Sequence, residues 1–235
     1  MNQFMNNTGA IDASFSTEAT RRFLLNVYNW MAMGLALTGV IAYGVAQSPF
    51  VNAIISNPIL YFGLFIAQIG IVLALSFAIN KMPSAVAIGA FFLYAALTGV
   101  TFSVLFLVYT GGSIASTFFI CAGMFAAVSA YGYFTKKDLA KMGTYLFMAL
   151  IGLIIASVVN MFMKSDTMSL IISYVGVLIF TGLTAYDTQK IKKMSQTSDI
   201  NSEQGKKGAV MGALALYLDF INMFLFLLRI LGDRK

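Results

Sequence analysis

The residues of this chain best able to do chemistry are two carboxylates set in apolar sequence. Asp187 and Asp219 each interrupt an otherwise apolar run, whereas the other seven acidic residues (Asp12, Glu18, Asp138, Asp166, Asp199, Glu203 and Asp233) fall in tails or short polar gaps. A charged side chain inside a membrane costs at least about 2.5–3.5 kcal/mol on insertion scales, so its presence points to a function. If the two groups meet in a low dielectric, they cannot both ionise cheaply and they share one proton. Such a pair is a proton switch, and its oxygens are also the hard ligands that a cation such as Ca²⁺ takes in passing. Contact within about 3.2 Å means a shared proton or a tight hydrogen bond. Separation much beyond about 6 Å means two weakly coupled sites. The alternative is private pairing: Asp187 with Lys190, three residues on, and Asp219 with an amide such as Asn222, one turn later on the same helix face.

Other chemistry is scarce. The chain has no histidine and one cysteine, Cys121. An intrachain disulfide, a His/Cys metal site and a His-assisted nucleophile are therefore excluded. Any response to pH near neutrality falls to carboxylates. Cys121 stands in an apolar run and reads as a small buried or lipid-facing residue. Intramembrane aspartyl proteases also place one aspartate on each of two consecutive helices, the first after a tyrosine. Tyr186-Asp187 matches that half. The second half should read Gly-x-Gly-Asp, and here it reads Leu216-Tyr217-Leu218-Asp219; a Pro-Ala-Leu element is also missing, since no proline follows Pro83. The chain is not read as an enzyme.

The elements that must position the aspartates are membrane helices. Of 235 residues, 59% are hydrophobic and 10% charged, against about 25% charged in a soluble domain. A spanning helix needs about 20 mostly apolar residues. That ruler gives seven spans, at roughly 23–46, 57–79, 84–109, 113–134, 143–163, 168–190 and 209–231, with all three prolines at or near span ends. Residues 1–20 are polar, with no basic start before an apolar core, and read as a mobile tail rather than a signal peptide. Residues 21–235 form the seven-helix membrane domain.

The net charge of +6 follows topology rather than nucleic-acid binding. With the N-terminus cytoplasmic, eleven basic residues lie inside (Arg21, Arg22, Lys81, Lys136, Lys137, Lys141, Lys190, Lys192, Lys193, Lys206, Lys207) and four outside (Lys164, Arg229, Arg234, Lys235). The basic C-terminus is the discordant piece. Small residues four apart (Gly34/Thr38, Ala85/Gly89, Ala95/Gly99, Ala122/Ala126, Gly208/Gly212) suit close helix packing, and amides and hydroxyls such as Gln68, Thr98 and Asn160 suit helix-to-helix bonding. Spans six and seven run antiparallel from a common end, so Asp187 and Asp219 reach a similar depth. Adjacency is the default for consecutive elements.

Three segments resemble the Bax inhibitor-1 family. They are Thr181-Gly-Leu-Thr-Ala-Tyr-Asp-Thr-Gln-Lys-Ile-Lys192 in span six, the last span from Ala213 to Gly232, and Tyr131-Gly-Tyr-Phe-Thr-Lys-Lys-Asp-Leu139 after span four. The likeness runs from about Arg22 to the end and is to the bacterial members. It implies an all-α bundle of seven transmembrane helices with the last helix central, in the plasma (inner) membrane of a bacterium. It also implies a Ca²⁺-permeable leak channel whose opening depends on pH, with no cofactor and with Asp187 and Asp219 as the di-aspartyl sensor. Basic latch residues of the family fall on Arg229 and, in place of an arginine, on Lys81, with Asn222 as a support. The acidic partner that Arg229 should find on span two is missing, and Gln68 is the nearest polar residue. Some bacterial relatives are linked to the FtsH-type AAA protease, for which the polar N-terminal tail offers a grip. A proton-coupled cation exchanger would use the same two carboxylates.

Overall fold

The computed structural model describes residues 2–196, 199 and 201–235, with backbone alone for residues 2–17. Its helices are α1 (Asn2–Ala46), α2 (Phe50–Ser56), α3 (Pro58–Ala78, extended by a 3₁₀ turn, Ile79–Lys81), α4 (Ser84–Phe102), α5 (Leu105–Val108), α6 (Gly111–Phe134), α7 (Ala140–Met163), α8 (Asp166–Ser195) and α9 (Glu203–Leu231). Among the described residues, seven stretches are long and apolar enough to cross a membrane: Glu18–Ala46, Pro58–Lys81, Ser84–Val108, Gly111–Phe134, Ala140–Met163, Asp166–Ser195 and Glu203–Leu231. The seven expected spans are all present, and the fold is all-α. The tail expected over residues 1–20 is drawn as helix from Asn2, and its side chains through residue 17, where a protease would grip, lie outside the described residues.

The third span is interrupted at Ser103 and Val104, between α4 and α5. Thr101 Oγ1 donates to the Thr98 carbonyl at 2.9 Å and Ser103 Oγ to the Val100 carbonyl at 2.7 Å. Hydroxyls bonded to nearby backbone bend a helix while satisfying carbonyls that lipid cannot. Beyond α9 the chain returns along the α5–α6 connection. Thr110 N–H donates to the Asp233 carbonyl, and Lys235 N–H to that of Val108. Helix α9 therefore runs the length of the bundle, and the C-terminus lies at the end opposite Lys81.

Helix α9 packs against α1, α4, α6 and α8, while α3 packs chiefly on α4 and α7 on α8. The apolar windows of α3 and α7 are only 11% buried, that of α9 56%. The two peripheral helices show large apolar side chains such as Ile59, Ile66, Phe77, Ile155 and Phe162 to the surroundings, as lipid-facing helices must. At the centre Tyr217 is fully buried, with its ring edge-on to Phe91 and Tyr94. Its hydroxyl lies 2.6 Å from Thr38 Oγ1, which also bonds the Ala95 carbonyl at 2.8 Å. Gly99 makes this approach possible, because a Cβ there would meet the Thr38 carbonyl oxygen.

Thus Gly34, Thr38, Ala95 and Gly99 lie on one helix contact, and Gly212 meets Ile191 and Val27. Gly89 faces open space and Ala126 is exposed, so two of the expected small-residue pairs are not close approaches. Helix α6 packs instead through Cys121, Phe125, Ser129 and Gly132. Cys121 is buried, with its thiol toward the Phe220 carbonyl at 3.7 Å.

Candidate functional site

Both aspartate-bearing helices are longer than their apolar runs, because each is capped and charged to suit. Ser165 Oγ accepts from Met168 N–H at the start of α8, and Ser202 Oγ from Gly205 N–H at the start of α9. Asp166 and Glu203 occupy first turns; Lys192, Lys193 and Arg229 occupy last turns. Each charge complements the helix dipole. The polar turns added at the α8–α9 junction hold the pair antiparallel and in register.

The residues on either side of Asp187 are fixed one by one. A Cβ on Gly132 of α6 would strike the backbone of Ala185, and one on Gly143 of α7 would strike the ring of Tyr186. The Thr188 hydroxyl lies 3.5 Å from that of Tyr28 on α1. Gln189 holds the α6–α7 loop with both ends of its amide: Nε2 donates to the Lys137 carbonyl at 2.8 Å, and Oε1 accepts from Leu139 N–H at 2.9 Å. Lys192 Nζ donates to the Tyr133 carbonyl at 2.6 Å and sits 4.6 Å from the centroid of its ring. On α9, Tyr217 and the ring of Phe220, packed edge-on to Phe118 and Phe125, fix the rotation that presents Asp219.

Lys193 closes the same loop through an exposed ion pair with Asp138, 2.6 Å apart. That bond holds the Asp138 carboxyl below its ordinary value of 3.8. A group whose folded-state value is depressed contributes stability above the unfolded value and loses it as pH falls through the folded one. Protease susceptibility of the α6–α7 loop is therefore expected to rise only below pH 3.8, and Asp138→Asn should show the raised susceptibility at neutral pH.

Asp187 and Asp219 are 8% and 4% exposed and line the same cavity, with their carboxyl groups near enough to interact. Ionised carboxylates are acceptors only, so a bond between two of them requires that one carry a proton. Asp219 Oδ2 is buried with no partner, and a lone buried carboxylate oxygen is costly unless the group is protonated or meets a cation. The private pairing of Asp187 with Lys190 is not an ion pair among the described residues. The private pairing of Asp219 with Asn222 does not occur: Asn222 Nδ2 donates to its own helix, at the Leu218 carbonyl, 2.8 Å away.

The pair borders a cavity of about 460 Å³ between α7, α8 and α9, lined also by Ser157, Phe180, Asn222 and Phe226. Among the described residues no group of three or more His, Cys, Asp or Glu gathers anywhere. Two carboxyl groups fall short of the six to eight oxygens that a resident Ca²⁺ takes. The two latch residues stand apart from the pair. Lys81 is exposed in the 3₁₀ turn and makes no ion pair among the described residues. Arg229 is also without an ion pair there and borders a different cavity, together with Gln68. Gln189, Gly132 and Gly143 are absent from the sequence-level candidates. Gln189 carries a legible signal, an amide at the polar end of an apolar run; the glycines carry none without their neighbours.

The family model described as Inhibitor of apoptosis-promoting Bax1 matches residues 20–235. The Inner membrane protein YbhL of Escherichia coli strain K12 is 49% identical over 215 residues, covering 91% of this chain and 92% of the relative. An uncharacterized protein of Borreliella burgdorferi is 49% identical over 215 residues, 91% and 93% of the two chains. One from Rickettsia prowazekii is 47% identical over 221 residues, 93% and 92%. A family match over nearly the whole length, with relatives about half identical along it, means that this chain belongs to the Bax inhibitor-1 family.

Proposed function

We propose that this protein is a cation leak, permeable to Ca²⁺, in a bacterial plasma membrane, and that the charge state of the Asp187–Asp219 pair sets its opening. The observation that carries this reading is a pair of carboxyl groups buried at one cavity of a bundle that offers no histidine to titrate in their place. A pair that holds one proton biases whichever of two packings suits its charge, and such a bistable element is what gating needs. The inner-membrane name of the Escherichia coli relative supports the location, and the excess of basic residues at the Lys81 end supports a cytoplasmic N-terminus. Ca²⁺ is the permeant ion rather than a resident metal.

Reconstitution into liposomes tests the leak against exchange. Ca²⁺ is expected to run down its own gradient with no proton gradient present. Uphill Ca²⁺ movement driven by a proton gradient alone would overturn the leak in favour of proton-coupled exchange.

A further inference from the structure

The aspartate cavity and a second one share a single lining residue, which is polar. This second cavity, of about 480 Å³, lies between α3, α4 and α9. Its polar lining includes Gln68, Thr98, Thr101, Asn222 and Arg229, and Asn222 borders both cavities. Along α9 the order is Asp219, then Asn222 about 4.5 Å further on, then Arg229 about 10 Å beyond that, at 1.5 Å per residue. Arg229 lies in the last turn, at the end of the bundle opposite Lys81. The two cavities together thus follow α9 from that end to the aspartate pair.

The second cavity is suited to water. Gln68 is 8% exposed; its Oε1 accepts from Thr98 Oγ1 at 3.4 Å, while its Nε2 is buried with no partner. A buried amide donor that lines a roomy polar cavity is satisfied by water. Asn222 spends Nδ2 on the Leu218 carbonyl and has Oδ1 left as a neutral oxygen ligand. We propose that Asn222 is the constriction of a continuous aqueous path, where its Oδ1 replaces one hydration water of a cation and passes the ion to Asp219, one helical turn away. The positive charge of Arg229 at the rim opposes cation entry, which suits a slow leak. The proposal rests on the leak reading for its cargo but not for its path, and the two are tested by different signals.

Water access is read first, in protein whose one native cysteine is replaced by Cys121→Ser. Thr101→Cys and Asn222→Cys are expected to react with a cationic, membrane-impermeant thiosulfonate, whereas Ile155→Cys on the lipid-facing side of α7 is not. Flux is read second. Asn222→Leu is expected to lower Ca²⁺ flux about tenfold or more, as an apolar constriction dewets, and Asn222→Gln, which keeps an amide oxygen but displaces it, to lower flux less. An inert Asn222→Cys beside a reactive Thr101→Cys overturns the path, as does wild-type flux in Asn222→Leu. If the wild-type protein carries no Ca²⁺ at all, the leak reading fails while the cysteine reactivities still decide the path.

Discussion

Asp219→Asn is expected to flatten the pH profile of Ca²⁺ flux, and Asp187→Asn to flatten it too. Asparagine keeps the shape of the side chain and supplies a donor in place of the shared proton, so the pair bond survives while its titration is lost. Coupling energies between a switch and the state it biases run to about 1–3 kcal/mol, so a wild-type change of about 5- to 150-fold across the titration should shrink to under about twofold. The two variants should differ in the flux that remains. Asp219, nearly fully buried on α9 and next to Asn222, loses a charged ligand of the path, so Asp219→Asn should conduct less at every pH. Asp187 acts mainly through its partner, so Asp187→Asn should conduct at a fixed level. Wild-type profiles in both variants would sink the sensor.

Gly132→Ala is expected to reach the same site from a distance. The added Cβ meets the backbone of Ala185, two residues before Asp187, and no flexible side chain can move aside. Helices α6 and α8 must part, and overpacking of this kind costs about 1–3 kcal/mol, which outweighs the helix propensity of up to about 1 kcal/mol gained over glycine. Thermal stability in detergent should fall, and the pH profile of flux should shift because Asp187 moves with α8. Gly89→Ala is the control, since a Cβ there has nothing within 4 Å; it should leave stability unchanged or slightly raised. Equal effects of the two substitutions would mean that the α6–α8 approach does not position the aspartate.

Much of the bundle is legible in one dimension because lipid demands runs of about 20 apolar residues and penalises every exception. The same penalty singles out Asp187 and Asp219. Span ends are less legible. Lys192, Lys193, Glu203, Lys206 and Lys207 read as a loop by composition, yet they extend α8 and α9 because Ser202 caps a helix and the charges suit its dipole.

The positioning residues are mostly hidden. Gly132 and Gly143 matter only because another helix passes over them, and neither belongs to a pair of small residues that the sequence analysis picked out. Asn222 shares a face with Asp219, but its amide is captured by the carbonyl one turn back, a competition that spacing does not show. Neither basic residue of the expected latch makes an ion pair among the described residues. Arg229 and Lys81 sit near opposite ends of the bundle, and depth depends on how many spans separate two residues as well as on their types.

Carboxyl-specific infrared titration of the reconstituted protein observes directly the one proton proposed to be shared by Asp187 and Asp219. The wild-type protein should show one protonated carboxyl signal that disappears in a single step, at the pH where Ca²⁺ flux changes, and that step should be missing from the Asp187→Asn, Asp219→Asn double variant. An unchanged step in the double variant, or wild-type flux that changes at a pH where no carboxyl signal does, would contradict it.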